Sequence, residues 1–435
     1  MSINIMSKLN TNISAKLVPI LACLFPIICL AYGKGYKTIP IILLLFSLPT
    51  LFSIPRNILT KDVKVLIGAF LFYFGIFVFS TLLNGDSLSR LDGPSRFILC
   101  IPIFIAILRY PPPFSWITKS IVVASYIAGI AALILVFNYD HTRAFMSGND
   151  LFSEGYMPIQ SGDIAMTFGI LCLPIAIYYL KKSAIITSII CSVGAAFGMS
   201  ASYLSGSRGG WVFVPVAILF LLYMNRAVIH KNRKKLVAFI IVTITALLIL
   251  TMINPKFNIK SITHLEIPEV QRTLNSLDAY AKGNPGSSTG VRLELWRDSI
   301  YTFFEKPFVG VGYDKRIELR TQRREDGIIT IPDGLWNTHS HNQYLEALSV
   351  RGFLGFIGLM GIFIAPLFIF RKMYRDGNEQ VKTIAQCGAL SVIMMMGYCL
   401  TQAIFKHNSG AIFYPLMTVI FLGSGLVFVK TETEN

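Results

Sequence analysis

Apolar residues in this 435-residue chain fall into long uninterrupted runs, not the one-sided stripes of soluble helices. Stretches free of Asp, Glu, Lys, Arg and His lie near 17–32, 38–54, 65–83, 97–108, 120–137, 164–180, 183–204, 211–224, 236–253, 353–370, 383–400 and 411–429. Runs of this length are what a bilayer selects, so the pattern predicts an all-α polytopic membrane protein of about twelve transmembrane helices. The run 97–108 is the exception: it falls short of the ~20 residues a crossing requires. Arg96 and Arg109 bracket it and would have to snorkel to opposite interfaces. If that run does not cross, every later segment changes sides.

The polar interruptions divide the chain into a bundle of nine spans over 1–253, a large loop over 254–352, and three more spans followed by a C-terminal tail over 353–435. With the N-terminus inside, inside segments hold 19 of the 39 Lys and Arg, against 7 in the short outside loops. That is the positive-inside bias. The other 13 lie in 254–352 with 12 acidic residues, and a segment of that length translocates largely regardless of charge. The densest basic cluster, Arg226, Lys231, Arg233, Lys234 and Lys235, reads as an anchor on the inner side.

Composition sharpens this picture. Hydrophobic residues make up 54% of the chain, charged ones 14%, and the mean hydropathy is +0.60, which excludes an ordinary soluble protein. The net charge of +16 follows from topology and anionic lipid, and nucleic acid is not an expected partner. All seven cysteines fall inside apolar runs, so neither a disulfide framework nor a cysteine metal site is expected. No small-x-small cleavage site follows the first run, which reads as a retained span.

A segment as long as 254–352 must carry its own elements. Pro268 can start an amphipathic helix with Val270, Leu274, Leu277 and Ala281 on one face, suited to lying on the bilayer or capping the bundle. After the breaker Gly283–Gly290, a second helix is predicted from about Val291 to Phe304, closed by the turn Lys306-Pro307-Phe308-Val309-Gly310-Val311-Gly312. The charged run Arg316 to Asp326 reads as a solvated helix or loop. In the bundle, Gly194, Ala195, Ala196, Gly198, Ser200 and Ala201 predict close helix packing in the seventh span. The turn Ser205-Gly206-Ser207-Arg208-Gly209-Gly210-Trp211 follows it.

Candidate chemistry concentrates in Thr338-His339-Ser340-His341-Asn342-Gln343-Tyr344-Leu345-Glu346, at the foot of a helix that enters the membrane. Ser340 and Gln343 have capping-box spacing, which would make Ser340 the N-cap and His341 the first helical residue. The positive end of that helix would hold the imidazole neutral, ready to accept a proton, and would attract an anion. Arg208, between glycines in a tight turn, is either a snorkelling residue partnered by Trp211 or a contact for an anion. Arg292 lies in the first turn of its predicted helix, where a cation is disfavoured, so it is either a solvated surface residue or the partner of an anion. His339-x-His341 does not align two imidazoles on one helix face, and no metal site is expected. Asp86 and Asp92, with Arg90 between them, are read as loop solvation or a local ion pair before a catalytic role.

Three motifs together resemble the bacterial O-antigen ligase and polymerase superfamily. They are Arg208 in Ser-Gly-Ser-Arg-Gly-Gly, Gly290-Val291-Arg292-Leu293-Glu294-Leu295-Trp296 with Pro307, Gly310 and Gly312, and His341-Asn342-Gln343-Tyr344-Leu345-Glu346 with Gly352 and Gly355. The layout matches over nearly the whole chain, most sharply over 290–355. The resemblance implies a GT-C-like membrane fold and an inverting, metal-independent glycosyltransferase without cofactors. Such an enzyme moves a polysaccharide from undecaprenyl diphosphate to lipid A–core at the periplasmic face of a Gram-negative inner membrane. Carried over by motif, His341 is the catalytic base and Arg208 and Arg292 hold the diphosphate, with Asn342 and Tyr344 as further substrate contacts. His339 inherits no role. A polymerase using another lipid-linked repeat as acceptor, or a protein O-oligosaccharyltransferase, would share these motifs. A lipid or polysaccharide transporter would share the spans, but the apolar runs carry none of the mid-membrane carboxylates or histidines that coupled transporters use.

Overall fold

A computed structural model of the chain describes residues 2–138, 143–146, 157–207, 209–226, 241, 243–246, 249, 268–331 and 339–433. All regular structure among them is helical, and nine helices are long and apolar enough to cross a membrane. The protein is an all-α, multi-pass membrane protein. Its first part contains α1 (Ser2–Cys29), α2 (Gly35–Ser47), α3 (Lys61–Asn84), α4 (Asp92–Arg109), α5 (Phe114–Asn138), α6 (Pro158–Lys181) and α7 (Ile185–Leu204). Local chemistry sets their ends. The Thr60 hydroxyl caps the start of α3 by accepting from the Val63 amide, and Gly85, at φ 68°, closes it in the left-handed conformation.

The short run 97–108 lies within α4. Its charged first turn and the preceding 3-10 turn extend the apolar element to 22 residues, Leu88–Arg109, enough to cross. The predicted spans 17–32 and 211–224 correspond to shorter apolar helices, Ile13–Cys29 and Gly209–Met224. The second is divided at Phe213 into α8 (Gly209–Val212) and α9 (Val214–Met224). The run 236–253 and the basic cluster beyond Arg226 lie almost wholly outside the described residues.

The seventh span packs as its small residues predict. A side chain at Gly198 would meet the Ala165 carbonyl and the Gly169 amide at 2.7 Å, so α6 and α7 approach backbone to backbone. One carboxylate is buried in α6: Asp163, just before the run 164–180, accepts from the Ser207 hydroxyl at 2.8 Å. A span therefore does carry an acid, but it faces the 205–210 turn near one end of α6 and not mid-membrane.

Beyond the bundle, a polar layer contains α10 (Pro268–Ala281), α11 (Ser288–Glu305) and α12 (Tyr313–Glu325). It leads to α13 (Gln343–Asp376), α14 (Glu379–Thr401) and α15 (Asn408–Thr433). α13 is broken at Gly352, whose φ of 62° and ψ of −160° are reserved for glycine. The turn 307–312 docks into this break. The carbonyls of Pro307 and Phe308 accept from the amides of Phe353 and Leu354 at 2.7 and 3.0 Å, and the Gly312 amide donates to the Val350 carbonyl at 3.0 Å. The interruption thus satisfies the backbone groups it frees, and it separates a nine-residue helix, 343–351, from the span beyond.

Candidate active site

The helix carrying the histidine motif starts two residues later than the capping-box spacing predicts. Asn342 is the N-cap, its Oδ1 accepting from the amides of Tyr344 and Leu345 at 2.9 and 3.1 Å. Ser340 turns the other way. Its amide and hydroxyl donate to Glu346 Oε2 at 3.0 and 2.9 Å, and its hydroxyl meets that of Ser299 at 2.8 Å. His341 is thereby lifted out of the helix into the left-handed region, at φ 49°, one of three non-glycine residues with positive φ among those described. Its amide donates to His339 Nδ1 at 3.1 Å, and its own Nδ1 lies 2.8 Å from Gln402 Oε1. With Gln402 accepting, the ring proton sits on Nδ1 and Nε2 presents a lone pair.

Burial lowers His341 below the ordinary histidine range, reinforced by the positive charge of Arg292 and opposed by the Gln402 bond and Glu346. The neutral imidazole expected here is thus favoured, with desolvation as the largest cause. Burial first, then neighbouring charges that include His341, take His339 down to about 3 and His407 to about 4. The three rings pack together, with centroids of His339 lying 4.3 Å from His341 and 5.4 Å from His407.

Arg292 lies in the second turn of α11, since the helix starts at Ser288 under the Ser287 cap, and it is partly buried close enough to His341 to influence it. Arg208 itself lies outside the described residues. Its neighbour Gly209 packs against the Thr401 side chain, next to the Gln402 that holds His341. Asn342 and Tyr344, predicted as substrate contacts, spend their polar atoms inside the protein. Asn342 Nδ2 donates to the Leu400 carbonyl at 3.2 Å, and the Tyr344 hydroxyl donates to the Met396 carbonyl at 2.9 Å. Both clamp the start of α13 to the end of α14.

Sequence reasoning missed the support beneath this site. The charged run 316–326 is a helix solvated on one face only: Glu318, Glu325 and Asp326 are exposed, while Arg316, Arg320 and Arg323 form a buried stripe along α12. Arg316 Nη1 donates to Glu346 at 2.8 Å, Arg320 Nε to Asp298 at 2.6 Å, and Arg323 Nη1 to Asp298 at 2.9 Å. Glu346 also faces Lys406 Nζ at 3.3 Å. The i, i+4, i+7 spacing of these arginines was the available signal. Gln402, Lys406 and His407 lie in the short polar link between the last two spans, which the loop parity already put on the side of His341.

Asp86 accepts from the amides of Tyr313 and Asp314 at 2.8 and 3.1 Å, capping α12, while Asp92 pairs with Arg96 at 2.7 Å. Among the described residues no group of three or more His, Cys, Asp or Glu could hold a metal ion.

A half-buried imidazole held in one tautomer, close to an arginine and just before a helix that runs into an apolar span, suits proton removal next to an anionic group. The sequence pattern of a family described as O-antigen ligase matches residues 193–360, a stretch containing Arg208, Arg292 and His341. An uncharacterised protein of Haemophilus influenzae is 29% identical over 93% of this chain and 97% of its own length. A ComP-specific O-oligosaccharyltransferase of Acinetobacter baylyi is 23% identical over 71% of this chain and 50% of its own. An O-antigen ligase of Escherichia coli is 24% identical over 46% of this chain and 44% of its own. The family match over residues 193–360 and these named relatives support the O-antigen ligase superfamily for this chain.

Proposed function

We propose that this protein is an inverting, metal-independent glycosyltransferase that completes lipopolysaccharide. It transfers O-antigen polysaccharide from undecaprenyl diphosphate to lipid A–core at the periplasmic face of the inner membrane. The observation that carries this reading is His341, whose Nδ1 is held by Gln402, whose basic form is favoured by burial, and whose neighbour is Arg292. In the proposed step, Nε2 takes the proton of the acceptor hydroxyl as its oxygen attacks the anomeric carbon. The bond from that carbon to the diphosphate oxygen breaks, the electron pair leaves with the diphosphate, and the configuration inverts. Arg292 and Arg208 stabilise the charge that grows on the leaving group, a task suited to guanidinium forks. Asn342, Tyr344 and Gln402 hold the base in position.

Purified protein supplied with lipid-linked polysaccharide and lipid A–core, in excess EDTA and without an energy source, should ligate. His341→Ala should lose ~10²–10⁴-fold in turnover while still binding the donor. Activity abolished by EDTA and restored by magnesium would defeat the metal-independent mechanism, and near-normal turnover by His341→Ala would remove the histidine from it. A second acceptor class, a serine or threonine side chain, is favoured by one observation: the O-oligosaccharyltransferase relative aligns with more of this chain than the ligase relative does. Transfer to protein with none to lipid A–core would select that reading.

A further inference from the structure

A cavity of about 190 Å³ opens beside helix 343–351. Gln343 lines it, and lies only two residues from the base, roughly 7 Å of chain at most. Three cations face this space, Arg90, Arg351 and Lys406, together with two carboxylates, Asp86 and Asp92. The carboxylates are already engaged, Asp86 by the amides of Tyr313 and Asp314 and Asp92 by Arg96. Arg90 is paired with Asp314 at 3.3 Å, and Lys406 with Glu346 at 3.3 Å.

Arg351 differs from the other two. It is 7% exposed, its guanidinium lies over the Phe77 ring at 3.7 Å, and its Nε has no hydrogen-bond partner. No carboxylate pairs with it among the described residues. A desolvated guanidinium with no carboxylate in direct contact is costly, since Glu346 and Asp86 act on it only from a distance and an aromatic face replaces only part of what a paired counter-ion supplies. Tyr73, Phe97, Tyr313 and Phe405 also line the wall and offer aromatic surface on which a sugar ring can pack, among small and polar residues that include Ser80, Thr81 and Asn408.

We propose that this cavity is a binding site for a phosphate group carried on a sugar of the acceptor glycolipid, with Arg351 as its bidentate anchor and Lys406 as a second cation. Arginine matches phosphate with two parallel N–H donors. Because Gln343 brings the site close to the imidazole, a phosphorylated sugar held here leaves a neighbouring sugar hydroxyl to face His341 while the donor diphosphate occupies the Arg292 side. This assignment rests on the glycosyl-transfer reading above and adds the chemistry by which the acceptor is recognised.

The test uses full-length protein in nanodiscs of zwitterionic lipid. The probes are a core oligosaccharide bearing a phosphate monoester, the same oligosaccharide after phosphatase treatment, and inorganic phosphate alone. Calorimetric titration requires no turnover and so remains readable if the catalytic reading fails. Wild-type protein should bind the phosphorylated probe at least tenfold more tightly than the dephosphorylated one, with inorganic phosphate competing. In the ligation assay, Arg351→Gln should raise the acceptor KM about tenfold and leave the donor KM and kcat unchanged, while Arg351→Lys should recover part of the loss. Equal affinity of wild type for the two oligosaccharides would overturn the proposal, even if Arg351→Gln failed to fold. So would a rise confined to the donor KM, which would place the cavity on the donor side, or competition by anionic phospholipid but not by inorganic phosphate, which would make it a lipid headgroup site.

Discussion

Replacing Glu346 by Gln tests whether the ion cluster under the histidine motif holds that motif in place. The carboxylate is fully buried and collects Arg316 Nη1 at 2.8 Å, the Ser340 hydroxyl and amide at 2.9 and 3.0 Å, and Lys406 Nζ at 3.3 Å. Glutamine keeps the shape and one acceptor oxygen, removes the charge, and turns an amino group toward donors. Arg316, itself fully buried, is left without its counter-ion. Breaking a buried pair from one side costs about 3–5 kcal/mol, whereas removing both charges is often close to neutral. Glu346→Gln should therefore unfold or inactivate much faster in a detergent thermal scan at fixed rate, and lose ligation as Ser340 and His341 drift from Gln402. Arg316→Met/Glu346→Gln should recover most of the stability. The reasoning fails if the single variant stays within about 1 kcal/mol of wild type, or if the double variant is no better than the single.

Gln402→Leu removes one neutral hydrogen bond from the base, worth about 1 kcal/mol, so turnover should fall severalfold with donor binding intact; an unchanged kcat would remove Gln402 from the site. Because His341 titrates below its ordinary value, its basic form persists as pH falls, and the acidic limb of kcat/KM should lie below the usual histidine pKa of ~6.5. Arg292→Gln should move that limb upward, since Arg292 helps lower His341, and no movement would break the proposed proximity. Gly352→Ala combines a glycine-only backbone, ~1–3 kcal/mol of strain, with a Cβ 2.5 Å from the Phe308 carbonyl carbon, and should sharply reduce folded yield on size-exclusion chromatography. Cysteines placed near residue 320 should react with an impermeant reagent in spheroplasts while one at Lys234 should not, and the opposite pattern would invert the topology.

The spans were legible because uninterrupted apolar length is a one-dimensional property. The run 97–108 was undervalued because charged Asp92 and Arg96 were excluded, although they lie in the first two turns of the same helix. Helix ends in the polar layer were read to within a few residues from prolines, glycines and caps. The N-cap of α13 was misplaced because Ser340 and Asn342 are equally good caps locally, and the choice is made by Glu346 and Leu400, which no spacing rule reaches. Arg316, Arg320 and Arg323 looked solvated because charge suggests exposure, and their burial depends on acids supplied by α11 and α13. Gln402 entered the site from the far end of the chain, across 61 residues, which only the folded bundle brings together.

The break at Gly352 bears on bilayer thickness. Unbroken, the 34-residue helix α13 would form a rod of about 51 Å against a hydrocarbon layer of ~30 Å, and any tilt forced by mismatch would swing its far end. The clasp from Pro307 and Phe308 places a joint there, held by backbone hydrogen bonds on the side of the polar layer. The span 353–376 can then lean as lipids thicken or thin, while the nine residues that present the histidine keep their bearing on Leu400 and Gln402. The orientation of the base is thus referenced to the protein and not to the membrane in which it is dissolved.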